Sequence, residues 1–414
     1  MWRRIRKWGL FFGLAGLIGG WGRVYLDKVV YNPDEIYYVE KGVMIDDWLK
    51  GGDLSRWNKD EFLKSPNDRS LFNILVYGGW EKIWSGGRYS QKYVGRIGAT
   101  RRNWYWQSLA AGKFTPKPLK QMKEMGSETV NLIMRGRWLA GMLGLISLGL
   151  MFWWWGWWGV MGWELLMASV VFLPTIVMMT SDAFVFLFSV GLSWQWGRVM
   201  SQSDWENDNW GWLKMIGWGG ALVASKINGL LVVGLMALLV MEVSWWERKV
   251  KKGWFRSLSL IGGSGLILWL ANPQWGMSAL SGIRDLFLTR GLTVAGQANA
   301  WLERGQVMVG MNPIQVIKYL GDSYSWQGIN FKWLSAISLG LAILGLKEWW
   351  RSKQKEIWWW GVMALILLMS QFEQTILVKG LPWVRYYMFG MMGLVFFEVM
   401  GLKKMSRWLR RRRQ

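Results

Sequence analysis

Apolar stretches close to twenty residues long recur along this chain, and they restrict its fold more than any other feature. A transmembrane helix needs about 20 mostly apolar residues. Such stretches lie at 8–31, 138–157, 163–179, 182–199, 213–228, 229–246, 255–271, 331–348, 357–372 and 381–402. They predict an all-α polytopic membrane protein of about ten transmembrane helices. The mean hydropathy is only +0.12 because two long polar segments, 32–134 and 272–329, dilute the average. These are too long to be turns and predict extracytoplasmic segments carrying amphipathic helices. The organisation expected is a first anchor at 1–31, a first outer loop at 32–134, helices two to seven at 135–271, a second outer loop at 272–329, helices eight to ten at 330–402 and a basic tail at 403–414.

Composition removes whole classes of chemistry. The 414 residues include no Cys and no His. A Ser-His-Asp or Cys-His triad, a zinc finger, a histidine-ligated haem and a disulfide scaffold are therefore impossible. The formal net charge of +23 would suggest a nucleic-acid partner in a soluble protein. Here the cations follow topology instead. With an even number of spans both termini share one side. That side's short loops and tail hold Arg3, Arg4, Arg6, Lys7, Arg198, Lys214, Arg248, Lys249, Lys251, Lys252, Arg256, Arg351, Lys353, Lys355, Lys403, Lys404, Arg407 and Arg410 to Arg413. The opposite short turns offer Lys226 and Lys379. This asymmetry predicts a multi-pass plasma-membrane protein with cytoplasmic N- and C-termini and both long segments outside.

Trp clusters at 153–158, 245–246, 349–350 and 358–360 fall at the predicted cytoplasmic ends, where indole rings favour the interface. The first apolar stretch exceeds a signal peptide's and lacks a small-x-small cleavage site, so it reads as an uncleaved anchor. The Arg410 to Arg413 run predicts contact with anionic membrane lipid and not with nucleic acid.

The candidate chemistry begins just beyond the first span, in Tyr31-Asn32-Pro33-Asp34-Glu35-Ile36-Tyr37-Tyr38. Asn, Pro and Glu at these spacings also form a helix-start signature, in which acids complement the helix dipole. Ile36, Val39 and Val43 then share one face, as in a helix lying along the membrane surface. A second acid, Asp182, ends Pro174-Thr175-Ile176-Val177-Met178-Met179-Thr180-Ser181 at an outer turn near membrane level. Ionisable residues there are functional candidates by default. Clustered carboxylates can accept a proton, orient a hydroxyl or bind a divalent cation. Without His such a cation would be oxygen-ligated, magnesium or manganese, with Asp34 and Asp182 as the candidate ligands. Arg137, Lys226 and Arg385 lie at matching depth, where each can snorkel to the interface or, together, hold a phosphate.

The order of these features resembles the GT-C glycosyltransferases that use lipid-linked sugars, in the branch of protein O-mannosyltransferases and lipid A aminoarabinose transferases. Asp34-Glu35 resembles that branch's acidic pair. Arg137-Trp138-Leu139-Ala140-Gly141 is similar to its arginine at the head of the next helix. Pro174 with Ser181-Asp182 resembles its proline helix ending in a second Asp, Ala224-Ser225-Lys226 its small-residue-Lys turn, and Arg385-Tyr386 its late Arg-Tyr. Ala271-Asn272-Pro273-Gln274-Trp275, with Arg290 and Gln297, resembles the second outer loop of bacterial members. One stretch departs: Ser65-Pro66-Asn67-Asp68-Arg69-Ser70 stands where members commonly have His-Pro.

The resemblance implies a polyprenyl-phosphate sugar as donor and transfer on the outer face to a protein, lipid or glycan hydroxyl. Asp34 is then the expected general base, with Glu35 and Asp182 orienting acceptor, metal or sugar. Arg137, Lys226 and Arg385 would hold the phosphate as it leaves with inversion at the anomeric carbon. The competing expectation is a transporter or flippase for an anionic or lipid-linked solute, against which stands the lack of an internal repeat.

Overall fold

The computed structural model describes residues 33–50, 71–96, 118–122, 126–169, 172–272, 332–377 and 388–412, with isolated positions at 9, 11, 13, 16, 26 and 284. Among the described residues it is helical and has no strand, an all-α fold. The chain divides into two compact units, residues 1–65, 71–147 and 174–184 in one, and 66–70, 148–173 and 185–414 in the other.

In the first unit, helix α1 (Pro33–Lys41) starts at its proline, whose missing N–H costs nothing in the first turn. Residues 35–45, in α1 and the segment that follows it, are all buried, Ile36, Val39 and Val43 among them. The expected helix lying on a membrane surface is thus enclosed by protein instead. Part of that enclosure is close packing by α3 (Leu71–Trp84), which follows α2 (Met44–Leu49). A Cβ on Gly78 would stand 2.0 Å from the Gly42 carbonyl oxygen, so only two glycines let these backbones touch. Helix α4 (Gln91–Arg96) and a short 3-10 turn at Leu119–Gln121 lead to α5 (Ser127–Trp155).

Helix α5 ends where Gly156 takes φ +61°. After it come α6 (Trp157–Ala168) and α7 (Phe172–Val177). The apolar stretch read as one span at 163–179 is therefore divided. The Ser169 hydroxyl accepts the Phe172 N–H at 3.2 Å, a cap that starts a new helix just before Pro174. Helix α8 (Asp182–Met200) follows.

In the second unit, α9 (Asn209–Ser225) and α10 (Gly229–Trp246) form a hairpin through Lys226, and both pack on α11 (Val250–Leu270). Helices α12 (Lys332–Trp350) and α13 (Lys355–Leu377) pack on α14 (Met388–Arg412). Glycines bring α12 and α14 together, since a Cβ on Gly345 would meet the Phe397 carbonyl and one on Gly401 the Leu341 carbonyl.

Among the described residues two helices, Ser127–Trp155 and Gly229–Trp246, are long and apolar enough to cross a membrane. The first predicted span, 8–31, and the second outer loop, 272–329, lie almost wholly outside the described residues. The Trp clusters divide by helix face. Trp349 is 3% exposed and packs on Phe397 and Trp358, whereas its neighbour Trp350 is 74% exposed. Trp154 and Trp155 join Trp360 and Phe396 in an aromatic core, while Trp153, Trp245 and Trp246 stand outward.

Candidate functional site

The polar centre of the first unit is built where α1, α3, α5 and the 178–182 turn meet. Glu35, in the first turn of α1, faces Arg137 of α5, and both are 0% exposed. Arg137 donates through Nε to Glu35 Oε1 at 2.7 Å and through Nη2 to Oε2 at 2.6 Å. Its Nη1 donates to the Leu26 carbonyl at 2.6 Å. A buried carboxylate and guanidinium persist together only when paired in this fork geometry. Glu35 Oε1 also accepts the Met179 N–H at 3.0 Å, which pins the turn ahead of α8 to the same pair. Gly136 makes room for it, since a Cβ there would lie 2.3 Å from the Met179 sulfur.

Asp182 opens α8 and is 2% exposed. Its Oδ2 accepts the Thr180 hydroxyl at 3.1 Å, and its N–H donates to that hydroxyl oxygen at 3.4 Å. The Thr180 carbonyl accepts Tyr77 Oη–H at 2.9 Å. Tyr77 stands edge-on to Tyr38 and Phe184, with ring centroids 5.3 and 5.5 Å away. Burial pushes its hydroxyl far above the usual phenol range, reinforced by Tyr38, Glu35 and Asp182, so Tyr77 is a neutral donor here.

The structure therefore joins Glu35, Arg137 and the turn leading to Asp182. Asp34 lies in α1 one residue before Glu35, and its side chain is outside the described residues. Arg385 is also outside them. Lys226 belongs to the second unit, where it ends α9 in extended conformation and its N–H donates to the Leu222 carbonyl at 3.0 Å. Arg137 was expected to hold a phosphate, and Glu35 to orient an acceptor or a metal. In the structure these two groups hold each other.

Among the described residues no three acidic side chains converge as a metal site would require. Asp182 with Thr180 offers one carboxylate and one hydroxyl, and the side chain of Asp34, the other candidate ligand, lies outside the described residues.

Three polar residues of this unit were not singled out from the sequence. Tyr77 and Glu81 sit one turn apart on α3, and Arg135 lies two residues before Arg137. The i, i+4 spacing of Tyr77 and Glu81 was a visible signal, but it does not say that the face they share is buried. Comparison with family models, with curated proteins and with solved structures found no match.

Proposed function

We propose that this chain is a multi-pass plasma-membrane glycosyltransferase that moves a sugar from a polyprenyl-phosphate donor to an acceptor hydroxyl on the outer face. The observation that carries the reading is the buried Glu35–Arg137 pair and its bond to Met179. It anchors two helix starts at one place, one at Asp34 and the other at Asp182. Asp34 and Asp182 each belong to the first turn of their helix. An ionised Asp34 can take the proton of an acceptor hydroxyl, and that oxygen displaces the donor phosphate from the anomeric carbon with inversion. The departing phosphate is a competent leaving group and needs cations, not a general acid.

Within this proposal Glu35 and Arg137 are positioning residues and Asp34 is the catalytic base, with Asp182 orienting the acceptor or sugar. The resemblance assigns the donor phosphate to Lys226 and Arg385, and that assignment rests on the sequence. No step is routed through a metal. Membrane embedding is supported by helices that carry apolar side chains outward as well as inward. On α11, Phe255, Leu258, Leu266 and Leu270 are exposed, and on α12, Ile337, Leu339 and Ile343. Ten spans, cytoplasmic termini and a lipid-facing basic tail belong to the same proposal.

The test is sugar transfer by the purified full chain, reconstituted with a polyprenyl-phosphate sugar. Asp34→Asn is expected to abolish transfer while the fold, followed by circular dichroism, persists. Movement of a lipid-linked or anionic solute across the vesicle without any transfer would favour the transporter and overturn the enzyme.

A further inference from the structure

Glu81 is a buried acid that the proposed reaction does not use. It lies on α3 and is 0% exposed, and neither carboxylate oxygen has a hydrogen-bond partner among the described residues. Its nearest cation is Arg135, whose Nη1 approaches Oε2 no closer than 3.7 Å. The two arginines of α5 thus differ. Arg137 is fully enclosed in a tight fork, whereas the Arg135 side chain is 37% exposed and only loosely held. Arg135 belongs to an outward face of α5 that also presents Asn131 one turn before it and Trp138 one turn after it. The indole N–H of Trp80 donates to the Arg135 carbonyl at 2.8 Å and fixes the backbone beneath the guanidinium.

We propose that Arg135, with Asn131 beside it, is a binding site for a phosphate group, and that buried Glu81 governs it by competing for the guanidinium whenever it is ionised. A guanidinium against a neutral carboxyl keeps its full charge for an outside anion. Against a carboxylate it is already neutralised.

The surroundings decide which form Glu81 takes. Tyr89, in the turn after α3, lies close enough to feel its charge, and its own hydroxyl donates to the Val39 carbonyl. Helix α1 contributes the buried Glu40 and Lys41. Lys82 of α3 and Asp46 of α2 pair with each other. Arg135 is the cation that acts on Glu81 directly. Burial outweighs it and pushes the Glu81 carboxyl up to about 8. At neutral pH the acid is protonated and Arg135 is available. Above pH 8 the acid ionises, and anion binding then requires uptake of one proton.

The test is equilibrium binding of radiolabelled inorganic phosphate to the full chain in neutral detergent, from pH 6.5 to 9.5. Binding at pH 7 is expected to weaken by about tenfold for each pH unit above about 8. The probe's own ionisation runs the other way and cannot imitate this loss. Glu81→Gln should show no loss of binding above pH 8, Arg135→Gln should lose binding throughout, and Arg135→Lys should keep part of it. Displacement by micromolar polyprenyl phosphate identifies a lipid-borne ligand, and displacement only by millimolar soluble phosphate identifies a free one. Wild-type affinity in Arg135→Gln, or binding that does not fall above pH 8, would overturn the site. Because no sugar enters the assay, its result is independent of whether the chain transfers one.

Discussion

Glu35 and Arg137 meet across 102 positions of sequence in a two-point salt bridge of 2.7 and 2.6 Å, with neither side chain exposed. Removing one partner leaves the other charge buried. Arg137→Ala should therefore destabilise the protein by about 3–5 kcal/mol. Replacing both by leucine should cost much less than the sum of the two single changes. Thermal unfolding of the four forms in detergent measures the difference, and additive effects would mean that the pair is not coupled.

The contact of Gly42 with Gly78 gives a steric prediction with an internal control. Gly78→Ala puts a Cβ 2.0 Å from the Gly42 carbonyl oxygen and should lower the melting temperature sharply. Gly79→Ala, one residue on, meets nothing within 4 Å. It should be neutral or stabilising by up to about 1 kcal/mol, the usual gain of alanine over glycine in a helix.

Glu81 predicts how stability depends on pH. Its carboxyl titrates near 8 in the folded chain and in the ordinary carboxylate range when unfolded, so between these values the folded state holds the extra proton. The contribution is complete in acid and is lost as pH rises through 8. Between pH 5 and 9 the loss should reach roughly 2–4 kcal/mol, and Glu81→Gln should remove it. Melting curves at pH 5, 7 and 9 check the sign.

Tyr77→Phe deletes the donor to the Thr180 carbonyl, a group enclosed in the same polar centre. The expected loss is about 1–3 kcal/mol, because the abandoned carbonyl keeps its desolvation cost. Under the proposed function, transfer should fall as well, since the 178–182 turn loses a tie to α3. A variant with wild-type stability and activity would remove Tyr77 from the site.

A chain without cysteine is ready for single-cysteine labelling. Gln91 and Lys353 are both exposed. Gln91→Cys should react with an impermeant maleimide added outside intact cells, and Lys353→Cys only after permeabilisation. The reverse pattern would invert the proposed topology and move the acidic centre to the cytoplasm.

Glu35, Arg137 and Asp182 of the first unit's polar centre were legible in the sequence as residues, though not as partners. Asn32-Pro33 marked the start of α1 and Asp182 the start of α8, whereas the break near Ser169 was not read, since 163–179 passed as one span. What sequence could not show is who bonds to whom. Arg137 and Arg135 look alike in a linear reading, because a spacing of two turns them some 200° apart on a helix but says nothing of the neighbours. One became a sealed structural cation and the other a half-exposed one. Tyr77 and Glu81 were invisible as site residues for the same reason, since polar side chains on a loop-segment helix read as solvent-facing until something covers them.

Helical class, the apolar stretches and the exclusion of cysteine and histidine chemistry were determined by sequence alone, because periodicity and residue type are local properties. The enclosure of α1, the Glu35–Arg137 fork and a buried Glu81 without a hydrogen-bond partner among the described residues were decided only in three dimensions. Each depends on groups far apart in the chain sharing a volume from which water is excluded, and there the cost of burying a charge, not its identity, sets what it does.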